Sequence, residues 1–283
     1  MTVLAGILLL AFVLLFLLLT PERGEKPDPE EQTRDILEQI EPSQPEPETE
    51  DSSPQDTEPP ETMAPEMPPD SDVPPEPEEP YVSPIDFTAL QAGNPDIYGW
   101  LQIPGTEISY PLLQSSEDDA YYLDHDSDGN WSREGAIFTE HTYNGTAFTD
   151  PATVVYGHRR DSGTMFGQLQ SIYSDPEQMT ACSEVIVFLP ERELHYQVFA
   201  AVPYDNRHIL YHYDFGSRRM YNAFFETIWS VREIGAVLDT SVTVSSEDPL
   251  LILSTCLRGN AQKRFLVLAK LTRATPEIET ETN

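Results

Sequence analysis

For residues 81–275 the sequence predicts a mainly-β domain, a closed or nearly closed eight-stranded barrel with flanking helices. Three observations predict it. Short runs rich in Val, Ile, Tyr, Phe and Leu recur between turn signals from residue 99 onward. One clear amphipathic helix interrupts them, at about Arg218–Val231. Apolar residues sufficient for a core are confined to this part of the chain.

The elements follow in order. A short helix is expected at Ile85–Ala92, stopped by Gly93-Asn94-Pro95. Strands are expected at Gly99–Ile103, Glu107–Leu113, Ala136–Glu140, Thr153–Tyr156, Val185–Leu189, Leu194–Val202, Leu250–Thr255 and Phe265–Leu271, with Val242–Val244 a weaker ninth. Pro104-Gly105 and Pro190–Glu193 supply the turns. In the long helix Ser217 stands at the N-cap, and Met220, Tyr221, Phe224, Phe225, Ile228 and Trp229 form one apolar stripe.

Two zones precede this domain in the 283-residue chain. Residues 1–19 carry no charge, and about 17–19 apolar residues just suffice to cross a hydrocarbon core. Residues 1–20 are therefore expected to be a transmembrane anchor, with a cleaved signal as the alternative. Residues 21–80 are expected to be a disordered, acidic, Pro/Glu-rich stalk, because they hold too few apolar residues to offset the entropy of ordering. One or two helical turns fit Glu31–Glu41, and residues 276–283 are expected to form a flexible tail. This order implies a single-pass membrane protein with its folded domain outside the cytoplasm. The net charge of −33 excludes nucleic acid as a partner class.

Two segments carry candidate chemistry. Val154-Val155-Tyr156-Gly157-His158 is a strand ending in a histidine, and Leu250–Thr255 is a strand ending in Cys256. After seven intervening residues, Arg264 opens the next strand. A thiolate is a nucleophile, a histidine can protonate a leaving amine and deprotonate an incoming one, and an arginine keeps its charge for a developing oxyanion. Cys182 is the second thiol, and a Cys182–Cys256 disulfide remains open beside two free cysteines.

In these residues the chain resembles the sortases, class B in particular. The resemblance rests on Tyr156-Gly157-His158 with Thr164-Met165-Phe166-Gly167, and on Leu253-Ser254-Thr255-Cys256 with Arg264. Asn94–Leu101 and Tyr121-Tyr122-Leu123 are also similar to that family. It implies a sortase barrel whose catalytic residues are His158, Cys256 and Arg264, with Ser254, Thr255 and Leu123 binding substrate. The substrate groove would run between the Cys256 face and the Arg218–Val231 helix. The implied activity is transpeptidation. A sorting signal is cleaved through a thioacyl intermediate and the acyl group is joined to an amine of peptidoglycan or pilin, as in Gram-positive cell walls. No cofactor or metal is implied.

The chain departs from the family in lacking a basic segment before the anchor, and its stalk is long for the class. Two other readings stand beside this one. Ser254-Thr255-Cys256-Leu257-Arg258 is similar to the S-x-G-C-x-R of L,D-transpeptidases, with Thr255 in place of the glycine and Arg258 rather than Arg264 as the cation. The alternative from another class is a catalytically inert, stalked surface-binding module. Asp124–Gly129 matches half of an EF-hand loop, but Gly135 stands where the bidentate glutamate belongs, so an acidic turn is expected. His125, His141, His195, His208 and His212 lack metal-ligand spacing and are read as structural.

Overall fold

The computed structural model describes residues 80–276. The anchor, all but the last residue of the stalk, the Glu31–Glu41 turns and the tail after Pro276 lie outside the described residues. Among the described residues no helix is long and apolar enough to cross a membrane.

Helix α1 (Phe87–Gly93) begins at Asp86, whose carboxylate accepts the Ala89 N–H at 2.9 Å. The strands are β1 (Ile97–Gln102), β2 (Ser109–Leu113), β3 (Ile137–Phe138), β4 (Ala152–Tyr156), β5 (Glu184–Phe188), β6 (Glu193–Tyr204), β7 (Val237–Leu238), β8 (Leu250–Leu257) and β9 (Asn260–Thr275). Their lateral order is β5-β1-β2-β3-β4-β8-β9-β6, and β5 also pairs with β6. That last pairing closes an eight-stranded barrel, as expected. The ninth strand is β7, paired with β6 at Ala200 and Ala201. It falls at Val237–Leu238 rather than at Val242–Val244.

Alternation along the strands fills the barrel. Leu251, Leu253, Phe265, Val267 and Ala269 point inward to join Leu101, Leu112, Val155, Val187, Leu194 and Phe166 in one core. Two further short helices, α2 (Leu169–Tyr173) and α3 (Pro176–Ala181), cover one end. They contribute Leu169, Ile172, Tyr173 and Met179 to the same core. Neither has enough residues to display a helical period, so the sequence gives no sign of them.

Helix α5 (Arg218–Ser230) follows the short α4 (Ile209–His212) and lies where the apolar stripe predicts it. Phe225 stacks on Phe199 of β6 with ring centroids 5.8 Å apart, and Phe224 meets Tyr204 at 6.4 Å. Ser217 occupies the N-cap position, but its hydroxyl makes no capping bond.

Strand β4 has little partner on its β3 side, since only Phe138 and Tyr156 pair there. The buried Asn144 side chain takes over. Its Nδ2 donates to the Ala152 carbonyl at 2.8 Å and its Oδ1 accepts the Val154 N–H at 3.0 Å. One side chain thus stands in for a strand edge and satisfies two buried backbone groups.

Candidate active site

Strands β4 and β8 are parallel and in register from Ala152 opposite Leu250 to Tyr156 opposite Ser254. Both strands therefore run towards the same end of the sheet, with His158 two residues beyond Tyr156 and Cys256 two beyond Ser254. Gly157 lies between Tyr156 and His158. A Cβ there would sit 2.5 Å from Ile137 Cδ1 and 2.7 Å from the Phe166 ring, so only glycine lets the histidine approach the core this closely. The following loop folds back, with the Phe166 N–H donating to the His158 carbonyl at 3.0 Å. Met165 adopts the left-handed region at φ 53°, and its N–H donates to the Tyr110 hydroxyl at 3.0 Å.

The His158 ring is held from the other side. Its Nε2 lies 2.7 Å from the Leu123 carbonyl, at the end of a 3₁₀ turn spanning Tyr121–Leu123. A carbonyl only accepts, so Nε2 carries the proton of the neutral ring and Nδ1 is left to exchange one. Leu123 itself is 46% exposed and borders the cleft.

Across the antiparallel β8–β9 pair, Cys256 stands directly opposite Arg264. Opposed residues share a face, so Cys256 and Arg264 point the same way and Ser254 joins them. Arg264 Nη1 lies 3.9 Å from the Cys256 sulfur and is steadied by the Ala261 and Lys263 carbonyls at 3.2 and 3.3 Å. The link between the strands is shorter than the sequence suggests. They turn tightly at Arg258-Gly259, where Gly259 has φ +79°. Thr255 borders the same cleft, yet alternation turns its side chain inward with Phe265, and its buried hydroxyl has no hydrogen-bond partner among the described residues.

These residues line one cleft of about 380 Å³. The groove expected against α5 is displaced. No residue of α5 borders the cleft; Tyr204, Asn206, Arg207, His208 and Ile209 form that wall instead. The apolar stripe of α5 is already used against β6 and cannot also face a groove. Sequence reasoning missed Asp119, Glu140, Tyr156, Tyr204 and His208 as cleft residues. The only available signal was their nearness in sequence to Leu123, His158 and the strand ends. Burial and then the nearby Glu140 carboxylate push the Tyr156 phenol up. Burial alone would raise Asp119, but Thr142 and His141 outweigh it and hold its carboxyl below the ordinary carboxylate range.

Arg258, the alternative cation, and the arginines that follow His158 lie elsewhere. Arg159 pairs with Asp161 at 2.8 Å, Arg160 faces Glu134 at 3.6 Å, and Arg258 is exposed in the β8–β9 turn. Both cysteines are free thiols, and Cys182 caps the end of α3 away from the cleft. The Asp124–Gly129 segment is an acidic turn. Asp126 Oδ1 accepts the N–H groups of Asp128 and Asn130 at 3.0 and 2.9 Å, and the His125 ring stacks on Tyr121 at 4.0 Å. Among the described residues no group of three or more His, Cys, Asp or Glu could hold a metal ion.

The sortase domain family matches residues 101–272, and the chain belongs to that family. Its relatives are of class B. Sortase B of Listeria monocytogenes is 34% identical over 168 residues, covering 59% of this chain and 65% of that protein. Sortase B of Staphylococcus aureus is 28% identical over 188 residues, covering 65% of this chain and 74% of that protein. Among solved structures, sortase B from B. anthracis in complex with AAEK1 superposes with a TM-score of 0.59 at 30% identity. That match covers 69% of this chain and 88% of the other. The S. aureus sortase B–substrate complex gives a TM-score of 0.57 at 26% identity, over 66% of this chain and 84% of that one.

Proposed function

We propose that the chain is a membrane-anchored cysteine transpeptidase acting outside the cytoplasm. It would cleave a C-terminal sorting signal and transfer the acyl group to an amine of peptidoglycan or pilin. The observation that carries this reading is the direct cross-strand pairing of Cys256 with Arg264, in a cleft shared with His158.

The steps follow from those positions. The Cys256 thiolate attacks the scissile carbonyl and forms the C–S bond, and the oxyanion that develops is stabilised by the Arg264 guanidinium beside the sulfur. The C–N bond then breaks as His158, carrying at Nδ1 the proton taken from the Cys256 thiol, gives that proton to the departing amine. In the second half, the acceptor amine attacks the thioester carbonyl and His158 takes its proton. Collapse releases the Cys256 thiolate and leaves a new amide. Arg264 suits the task because its charge persists at any relevant pH. Ser254 on the same strand face and the exposed Leu123 side chain are the proposed contacts to the peptide, while Thr255 contributes through its backbone.

The anchor and stalk belong to the same proposal. A chargeless start over residues 1–19 followed by an acidic, Pro-rich stretch supports a span and a tether. The L,D-transpeptidase alternative needs a cation at Arg258, which lies outside the cleft, so the geometry favours the sortase reading. The test is transfer itself. The protein is incubated with a library of sorting-motif peptides and an amine, and products are read by mass. A ligated peptide–amine product is expected. Absence of both ligation and cleavage, with Cys256 no more reactive than a free thiol, would support the inert binding module.

A further inference from the structure

Apart from Tyr204, the cleft wall at residues 204–209 is a connection rather than part of the barrel. It leaves β6 at Tyr204, runs through Asp205–His208 and α4, and enters α5 at Arg218. Most of its polar contacts stay local. The Asp205 carboxylate closes on the Arg207 side chain at 2.7–2.9 Å, and the Arg207 guanidinium lies 5.5 Å over the Tyr204 ring. Asn206, Arg207, His208 and Ile209 border the cleft.

A side-chain hydrogen bond joins this connection to another segment that lines the cleft. His208 Nε2 meets Glu140 Oε2 at 2.7 Å, from a carboxylate only 16% exposed, two residues past β3. The ring's other nitrogen is also committed. His208 Nδ1 accepts the Tyr211 N–H at 3.1 Å and so caps α4. An accepting Nδ1 leaves the proton on Nε2, which therefore donates to Glu140. The ring also packs on Tyr143 with centroids 4.6 Å apart. One imidazole thus ties the β6–α5 connection to the segment that follows β3.

We infer that Glu140 and His208 form a clasp that sets the width of the catalytic cleft, making both positioning residues for the peptide side chain seated there. The lining of Leu123, Phe138, Tyr156, Tyr204 and Ile209 fits an uncharged, largely apolar side chain. The role of the clasp in substrate selection rests on the transpeptidase reading above; the clasp itself does not.

Three single variants and the His208→Asn/Glu140→Ala double variant, all in a Cys182→Ser background, separate clasp from fold. His208→Asn keeps an N-cap acceptor for Tyr211 but is too short to reach Glu140. Glu140→Ala removes the acceptor, and Glu140→Gln keeps it. Cys256 is modified with iodoacetamide and with a bulky fluorescein maleimide, and the ratio of the two rates measures cleft width. His208→Asn and Glu140→Ala should each shift that ratio towards the bulky reagent by about tenfold, within the range for a coupled pair. The double variant should shift it no further, and Glu140→Gln should stay near wild type. For a peptide turned over by the wild type, the same two variants should raise KM about tenfold and leave kcat within twofold. An unchanged reagent ratio, additive effects, or a loss of kcat at constant KM would overturn the clasp. If the wild type turns over no peptide, the transpeptidase reading fails, and the reagent ratio still decides the clasp.

Discussion

Arg264 and Thr255 are neighbours on the two faces of one hairpin, and they call for opposite experiments. On the proposed mechanism Arg264 meets charge that exists only while the carbonyl is under attack. Losing one such donor typically costs about 10²–10³ in kcat. Arg264→Ala should show that loss, and Arg264→Lys should recover only part of it, because an ammonium is a point charge without the guanidinium fork. Arg258→Ala, in the exposed turn, should change kcat little. Steady-state kinetics on a cleaved peptide decides this, and a larger effect at Arg258 would shift the site away from Arg264. Thr255 carries a buried hydroxyl with no hydrogen-bond partner among the described residues. An unsatisfied buried polar group costs about 1–3 kcal/mol, so Thr255→Val should leave stability unchanged or raise it by about 1 kcal/mol in urea unfolding. A clear loss of stability would mean that the hydroxyl is bonded after all.

At the scale of elements, the weak seam of the barrel is the β3–β4 junction, and Asn144 closes it. Asn144→Ala strips partners from two buried backbone groups, Ala152 C=O and Val154 N–H. A loss of about 2–4 kcal/mol is expected from the urea midpoint, whereas a loss under 1 kcal/mol would show that water or a shifted strand replaces the side chain. Asn144 also illustrates what could not be read from sequence. The long strands and α5 were legible because alternation and a 3.6-residue stripe persist over many residues. Strand β7 and helices α2–α4 are too short to show a period. His158, Cys256 and Arg264 were legible as strand-end residues, and the parallel β4–β8 register explains why the two ends coincide. Glu140 and His208 were not legible, since they lie 68 residues apart and only the closed barrel brings them together. The groove was expected against α5 for a related reason: its stripe was visible, but the surface it would cover was not.

At the scale of the whole molecule, acidity should act on the connection between β6 and α5. Burial first, and then the neighbouring Arg207, hold His212 below its ordinary value of 6.5. Below pH 6.5 the unfolded chain therefore binds more protons at this site than the folded one. Stability then rises with pH through that window and falls as the solution is acidified. His212→Gln removes the effect, so the wild type should lose stability relative to the variant between pH 7.5 and 5.5, and parallel curves would refute the link. Asp119, held low in the cleft, acts in another window. Its contribution is present above the ordinary carboxylate range and lost only as pH falls through its lower folded value.

If this barrel presents Cys256 as the nucleophile of a transpeptidase, a thioacyl intermediate must form there, and trapping it shows where. A peptide that the protein cleaves is mixed with it in the absence of an acceptor amine, the reaction is quenched in acid, and the adduct is located by peptide mass mapping. A hydroxylamine-sensitive acyl group is expected on Cys256, absent in Cys256→Ala, retained in Cys182→Ala, and discharged when an amine is added. Cleavage with no adduct on Cys256, or an adduct carried by Cys182, would contradict the assignment of Cys256 as nucleophile.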